Sequence, residues 1–218
     1  PEINSVLSLN KGIISVAQER DSERRDGKIR GRLHGVPILV KDNIETSDLP
    51  TTGGSLALAD NQTGRDAPVI ARLKAEGAIV LGKTNLSEWA NFRSDRSVSG
   101  WSGIAGLTKN PHSLNRSPCG SSAGSAAAIA AGFAPLALGT ETNGSITCPA
   151  AMNGIVGFKP TVGLLSNKHI IPVSTTQDTV GPMAKTVADI ALMMDVMTAS
   201  SGEFSLALDN TIDGLRIG

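Results

Sequence analysis

Three short stretches of the sequence place a polar side chain where an apolar strand or a helix of small residues meets a turn. Lys41 follows the apolar run "PILV", Ser121 lies in "CGSSAG", and Ser145 lies in "TETNGSI". A serine hydroxyl is a weak nucleophile until a base takes its proton, and a lysine is such a base only when burial keeps it neutral. Serine–lysine variants of the catalytic triad use these residue types. The three stretches therefore predict a nucleophilic serine activated by Lys41.

Three further motifs match by letter but lack the structural context that their chemistry needs. The run "GAIVLGKT" at 77–84 fits the phosphate-binding P-loop, yet the residues between its glycines read as a strand and not as a loop. "GSSAG" also fits the nucleophile elbow with Ser122 as nucleophile, but a polar loop and not a strand precedes it. "SLNK" at 8–11 fits the Ser-x-x-Lys motif on the polar side of a predicted helix. We expect none of these three to carry the chemistry.

The elements that would position the reactive residues alternate between helix and strand. Helical periodicity, with cap signals at Asp66 and at Thr186, predicts the helices, and short apolar runs between turns predict the strands. The predicted helices cover 2–19, 67–76, 123–132 and 187–200, the predicted strands cover 35–43, 78–85, 134–141 and 214–218, and 20–32 is a charged connection on the surface. The repeated helix-then-strand order predicts an α/β layered domain. Because no linker is evident, we expect residues 1–218 to form a single domain.

The composition excludes several classes of protein. Of the 218 residues 20 are basic and 20 are acidic, so the zero net charge gives no electrostatic basis for binding nucleic acid or an anionic membrane. No apolar run reaches the roughly 18 residues that cross a membrane. Cys119 and Cys148 are too few for a disulfide framework and form no metal-binding cluster, which leaves their redox state open. We expect a cytoplasmic protein; because the sequence begins at Pro1 and not at methionine, a secreted or periplasmic one is the alternative.

The three stretches and their flanks, among them "GAIVLGKTNLSEWANF", "FKPTVGLLS" and "TQDTVGPMAKTVADIALMM", resemble the amidase signature family. The resemblance implies a Ser-cisSer-Lys triad in which Lys41 is the base, Ser121 is a relay on a cis peptide bond and Ser145 is the nucleophile. It also implies an α/β/α sandwich around a mixed, mostly parallel sheet, of which this chain would be the N-terminal part. The resemblance also implies an oxyanion hole made by backbone amides of the turn that holds the nucleophile, those of Thr142, Asn143 and Gly144. Three further residues would support the site through hydrogen bonds: Ser122, Thr140 and Asp178.

The stretch "GTETNGSITCPA" departs from the family's frequent "GTDTGGSIRxPA". Glu141 replaces an aspartate, Asn143 replaces a glycine, and Thr147 and Cys148 stand where an arginine often lies. With "LSEWANFR" and "SGWS", this combination most resembles the peptide amidase branch, whose members remove the C-terminal amide nitrogen of peptides.

The resemblance therefore implies amide hydrolysis through an acyl-enzyme on Ser145, without a metal or an organic cofactor. The expected partner is a small-molecule or peptide amide substrate, and the oligomeric state stays open. Two alternatives remain: an amidase for small aryl or aliphatic amides, and a non-catalytic binding member of the family.

Overall fold

A computed structural model of the chain describes residues 3–211, 213–214 and 216. The strands are β1 Val6–Leu9, β2 Pro37–Lys41, β3 Ile79–Thr84, β4 Trp101–Ser102, β5 Gly106–Leu107, β6 Leu136–Glu141, β7 Val156–Gly157 and β8 Thr179–Ala184. The helices are α1 Ile13–Arg25, α2 Pro68–Ala75, α3 Ala123–Ala130, α4 Thr147–Asn153, α5 Val187–Thr198 and α6 Glu203–Leu206. None of the helices in these ranges is long and apolar enough to span a bilayer.

Six strands form one mixed sheet in the order β1-β3-β2-β6-β8-β7. The three central strands β3, β2 and β6 run parallel, and the outer pairs are antiparallel. The predicted α/β class and mixed sheet are confirmed, with the parallel pairing confined to the centre. Because β2 and β6 are parallel neighbours, their carboxyl ends at Lys41 and Glu141 lie at the same edge of the sheet, where α/β proteins place their sites.

Side chains alternate across this sheet into cores on its two faces. Ile38 and Val40 of β2 join a large cluster that includes residues of α2 and α5. Leu39 points the other way and packs with Ala128 and Ile129 of α3. Helices therefore cover both faces of the sheet, which is the layered arrangement that the resemblance implies.

The predicted helix over 2–19 is wrong in its first half. Val6–Leu9 forms a strand that pairs with β3, and the helix begins only after Gly12. It then runs through Arg25, so the predicted surface connection is also wrong in its first six residues. The charged side chains stabilise this helical turn, since Glu23 pairs with Arg20 at 3.2 Å and with Arg30 at 2.5 Å.

The cap predictions have different outcomes. Thr186 caps α5, because the Asp189 backbone N–H donates to its Oγ1 at 3.1 Å. Asp66 does not cap α2, since its carboxylate instead accepts from the Ser47 backbone N–H at 2.8 Å and from Lys74 Nζ at 2.9 Å. The predicted strand at 214–218 lies largely outside the described residues.

Helix α3 packs so closely against the neighbouring backbone that only glycine fits at one position. A Cβ atom at Gly124 would meet the carbonyl oxygens of Asn85 and Ser5, which are backbone atoms and cannot rotate away. We therefore expect Gly124→Ala to lower the free energy of unfolding by about 2–3 kcal/mol. Thermal or denaturant unfolding measures this change. Gly103→Ala is the matched control, since its Cβ would make only ordinary contacts, and an equal loss in both variants would contradict the close-packing argument.

Candidate active site

Lys41 ends β2 with its side chain fully buried and surrounded by hydrogen-bond partners. Its Nζ donates to Ser121 Oγ at 2.8 Å, to Thr140 Oγ1 at 2.8 Å and to the Thr140 carbonyl oxygen at 3.1 Å. Lys41 and Ser121 are far apart in sequence, and the sheet edge brings them into direct contact. The predicted base and the predicted relay serine are therefore hydrogen-bonded.

The surroundings of Lys41 favour the neutral amine. Burial lowers the pKa of Lys41 to about 7, although the carboxylates of Asp178 and Glu141 oppose this shift. An ordinary lysine is almost fully protonated at neutral pH, whereas a lysine with a pKa near 7 is available as a base in about half of the molecules. Lys41 therefore has the protonation behaviour that a general base needs.

Ser121 is completely buried just before α3 begins. The Gly120–Ser121 peptide bond is cis, as the resemblance implies. The carbonyl oxygen of Ser121 accepts from the Ser87 backbone N–H at 3.1 Å, while its hydroxyl accepts from Lys41. The side chain of Ser121 is therefore bonded to the last residue of β2, and its backbone is bonded to the segment that follows β3.

Ser145 is half-buried in the turn between β6 and α4. We call residues 142–146, around the predicted nucleophile, the nucleophile turn, and residues 118–122, around the predicted relay serine, the relay segment. The Ser145 carbonyl oxygen accepts from the Ser122 backbone N–H at 3.0 Å, so the two are bonded directly. Within the described residues, no hydrogen bond occupies the Ser145 hydroxyl. Ser145 lines a cavity of about 630 Å³ together with Asn143, Phe92 and Gln177, among others. The hydroxyl is therefore accessible to a substrate.

Glu141 organises the nucleophile turn in a way that the sequence did not reveal. Its carboxylate accepts the backbone N–H groups of Gly144 at 2.7 Å, of Ile146 at 2.7 Å and of Thr147 at 2.8 Å. Burial raises the pKa of Glu141, but these three N–H groups together outweigh it and the pKa is lowered. The ionised Glu141 carboxylate thus fixes the conformation of this turn through three hydrogen bonds.

This arrangement changes the expected oxyanion hole. The Gly144 amide is one of the predicted donors, but Glu141 already accepts that N–H. Within the described part of the chain, the backbone N–H groups of Thr142, Asn143 and Ser145 donate to no protein atom. These three amides are free to meet a developing oxyanion.

We expect Glu141→Gln to lower kcat by about tenfold. Glutamine has one acceptor oxygen in place of two, so at least one of the three backbone N–H groups would lose its charged acceptor or lie against the glutamine N–H₂. A hydrogen bond to a charged group is worth about 1.5–3 kcal/mol. Steady-state kinetics on an amide substrate measures this loss. The neighbouring Thr147→Val is the control: it removes only the weaker hydroxyl contacts to Glu141, at 3.2 and 3.4 Å. Equal losses from both substitutions would contradict the role assigned to the carboxylate.

The predicted supporting residues form hydrogen bonds around the site. Ser122 Oγ donates to the Thr140 carbonyl oxygen at 3.1 Å and accepts the Thr140 backbone N–H at 3.2 Å, so it is committed to structure and is not a free nucleophile. Asp178 accepts from Thr142 Oγ1 at 2.5 Å and from the backbone N–H of Val173 at 2.7 Å. Thr140 bonds Lys41, as described above.

Two further residues near Lys41, Asn43 and Lys83, form hydrogen bonds beside the site. Asn43 Nδ2 donates to Thr140 Oγ1 at 2.9 Å. Lys83, the lysine of the P-loop-like run, is fully buried inside β3, where its Nζ lies 3.2 Å from Asp42 Oδ1 and donates to the Ile44 carbonyl oxygen at 2.8 Å. A lysine used in this way supports the loop after Lys41 and does not face a phosphate.

A covalent bond that the sequence left open joins the segments of the predicted relay serine and the predicted nucleophile. Cys119 and Cys148 form a disulfide across 29 residues. Cys119 lies two positions before Ser121, and Cys148 lies three positions after Ser145. Each cysteine lies close in sequence to a predicted catalytic serine, and this was the one indication in the sequence that the two are near each other. Their pairing became evident only from the tertiary structure.

A second, smaller cavity adjoins the one at Ser145. It measures about 250 Å³ and shares Thr142, Val173 and Thr175 with it. Ile170 and Ile171 contribute apolar walls, and Asn43 and Asp178 contribute polar ones. The site can therefore receive an apolar group beside the reacting bond. No group of three or more His, Cys, Asp or Glu side chains arranged to hold a metal occurs in the described ranges.

Comparison with known proteins gives matches along nearly the whole chain. The sequence model of the Amidase family matches residues 1–209. A protein of Arthroderma benhamiae whose name assigns it to the amidases is 45% identical over 232 residues, covering 99% of this chain and 39% of that protein. A glutamyl-tRNA(Gln) amidotransferase subunit from Methanococcoides burtonii is 42% identical over 226 residues, covering 99% of this chain and 46% of that protein.

Solved structures match as well. The native peptide amidase from Stenotrophomonas maltophilia superposes with a TM-score of 0.88 at 56% identity, covering 89% of this chain and 40% of that structure. The chain thus spans less than half the length of each of these relatives.

Proposed function

The chain belongs to the amidase signature family, and on that premise we propose that the protein hydrolyses a carboxylic amide through an acyl-enzyme on Ser145. The observation that carries the proposal is the contact of 2.8 Å between Lys41 Nζ and Ser121 Oγ, in a setting that lowers the pKa of Lys41 to about 7. A buried lysine that can be neutral at physiological pH can act as a general base. The Ser121 hydroxyl that it contacts supplies the proton that it accepts.

In the first half of the reaction the neutral Lys41 takes the proton of Ser121, which takes the proton of Ser145. The Ser145 oxygen attacks the carbonyl carbon, and the resulting oxyanion accepts from the unoccupied backbone N–H groups of residues 142, 143 and 145. As this intermediate collapses, Ser121 gives a proton to the nitrogen and regains one from the protonated Lys41; the C–N bond breaks, the amine leaves, and Lys41 is neutral again. One such oxyanion donor typically contributes about 3–4 kcal/mol to the transition state.

In the second half a water molecule replaces the amine. Lys41 again draws a proton, this time from the water through Ser121, and the water oxygen attacks the acyl carbon. The bond between the Ser145 oxygen and the acyl carbon then breaks, the protonated Lys41 returns its proton through Ser121 to Ser145, and the carboxylic acid leaves. Ser121 thus carries the proton in both directions, which requires that its hydroxyl stay between Lys41 and the reacting atoms.

We assign the C-terminal amide of a peptide as the substrate class. Identity to the peptide amidase of Stenotrophomonas maltophilia, 56%, exceeds that to the amidotransferase, 42%. The cavity at Ser145 is large enough for a residue of a peptide, at about 630 Å³, and it lies open beside the hydroxyl. The leaving group would then be ammonia, and the product would be the peptide with a free carboxylate.

Ammonia release from a peptide amide tests this assignment. The protein is incubated with an N-acylated dipeptide amide, with the same dipeptide as a free acid, and with a small aryl amide. We expect ammonia and the free acid from the first, with its internal peptide bond intact. Faster turnover of the aryl amide would overturn the peptide assignment in favour of a small-amide amidase. No turnover of any amide, together with no covalent labelling of Ser145, would overturn the catalytic proposal in favour of a binding member.

The pH dependence of the reaction follows from the lowered pKa of Lys41. Only the neutral amine accepts a proton, so kcat/KM should be low in acid, rise as the pH passes through about 7, and level off above it. A lysine with its ordinary pKa would instead place that rise near 10. Initial rates at constant ionic strength across this range give the midpoint. A midpoint near 10, or a rate independent of pH, would contradict Lys41 as the base.

A further inference from the structure

The disulfide between Cys119 and Cys148 connects the two segments whose hydroxyl groups must exchange a proton. Cys119 precedes the relay serine Ser121, and Cys148 lies in the first turn of α4, immediately after the nucleophile turn. The Cα atoms of the two cysteines lie 5.9 Å apart. The cross-link therefore acts at the point where the relay segment meets the nucleophile segment.

We propose that this disulfide is a positioning cross-link for the reaction, and that the catalytic rate depends on its oxidised state. The inference rests on the proposed acyl-enzyme mechanism. A proton passes between Ser121 and Ser145 only when their hydroxyls approach within hydrogen-bond distance, so small changes in the separation of the two segments affect the rate.

Non-covalent contacts also join the two segments, since Ala126 of α3 packs with Ile146 and Ala150. The Ser122 backbone N–H donates to the Ser145 carbonyl oxygen at 3.0 Å, and Asn153 Nδ2 donates to the Pro118 carbonyl oxygen at 2.9 Å. Within the described residues, no hydrogen bond joins the hydroxyls of Ser121 and Ser145 themselves. Their alignment is thus set by how the two segments are held.

The relay segment has weak support on its N-terminal side. Residues 112–117 are exposed and form neither helix nor strand. Without the cross-link, Cys119 would be held only through its chain neighbours, of which Pro118 accepts from Asn153. Reduction would therefore loosen the relay segment at Cys119, on the side of this loop, and leave in place the bonds of Ser121 to Lys41 and of the nucleophile turn to Glu141.

Both cysteines are half-buried, so a small reductant can reach the bond. A dithiol supplies two electrons and two protons: its thiolate attacks one sulfur, the second thiol resolves the mixed disulfide, and the products are two protein thiols and the cyclic disulfide of the reductant. The sequence contains no other cysteine, so any effect of the dithiol on this chain is assigned to one bond.

The test compares the oxidised and the dithiothreitol-reduced protein on the same dipeptide amide, with free thiols counted by a chromogenic reagent. We expect reduction to lower kcat by about ten- to a hundredfold with little change in KM, and the rate of labelling by a fluorophosphonate to fall in parallel. Removing the dithiol and reoxidising should restore both. Thermal unfolding of each form verifies that the assay temperature lies below the transition.

Cys148→Ala separates positioning from other effects of the reductant. This variant should have the lowered kcat of the reduced protein and should not respond to dithiothreitol. A lowered unfolding temperature with unchanged kcat, in the reduced protein and in Cys148→Ala alike, would overturn the inference and leave a purely stabilising bond. An oxidised protein that hydrolyses no amide would be a failure of the proposed function itself and is recognised before any reductant is added.

Discussion

Ser145→Ala should abolish amide hydrolysis, with kcat/KM lower by roughly 10⁴- to 10⁶-fold. The Ser145 hydroxyl oxygen is the atom that forms the acyl bond. Neighbouring hydroxyls do not replace it, because Ser122 is committed to the Thr140 backbone and Thr142 donates to Asp178. Folding should be unaffected, because the Ser145 backbone, not its side chain, makes the contact with Ser122. Ammonia release and thermal unfolding together measure the two expectations.

Ser122→Ala is the matched control for this prediction. It removes a neighbouring serine hydroxyl and should cost about 1 kcal/mol of stability while leaving covalent labelling in place. A fluorophosphonate bonds to the nucleophilic oxygen with loss of fluoride, and mass spectrometry of the peptides identifies the modified residue. Labelling of Ser122, or an active Ser145→Ala protein, would contradict the assignment and favour the nucleophile-elbow interpretation.

Lys41→Met should lower kcat/KM by about 10³-fold and remove the rise of activity near pH 7, because the buried amine in contact with Ser121 is lost. Methionine has a similar length and no charge, so it fits the buried site without requiring a counter-ion. Lys41→Arg should be equally inactive at every pH, since a guanidinium does not become neutral in proteins. The pH profile of each variant, measured beside that of the wild type, checks these expectations.

The double variant Lys41→Met/Ser145→Ala distinguishes a catalytic unit from two independent effects. Residues that act in one proton relay lose their contribution together, so the double variant should have the same residual rate as Ser145→Ala. If the loss of kcat/KM in the double variant equals the product of the losses in the two single variants, Lys41 acts separately from the nucleophile. A Lys41→Met protein that keeps a rise of activity near pH 7 would assign that titration to another group.

The residues proposed to carry the chemistry were predictable because their signals are local. Lys41 follows an apolar strand, Ser121 and Ser145 lie in glycine-containing turns, and strands β2, β3 and β6 read directly as short apolar runs. Their roles and their meeting at one site were implied by the resemblance to the amidase signature family, whereas the parallel pairing that places the ends of β2 and β6 at one edge came from the structure. The cap at Thr186 is local for the same reason, since donor and acceptor lie three residues apart.

Only the tertiary structure decided features whose partners are distant along the chain. The stretch at Val6–Leu9 is a strand because the edge of β3 supplies its hydrogen bonds, and no local periodicity encodes that edge. The bond from the Gly144 amide to Glu141 spans only three residues, but it depends on the conformation of the whole turn, in which the same carboxylate also accepts from Ile146 and Thr147. Cys119 and Cys148 pair because α3 and β6 fold back between them. The sequence by itself therefore determined which groups are candidates to react, whereas packing determined which of their atoms are free, which are held, and how firmly.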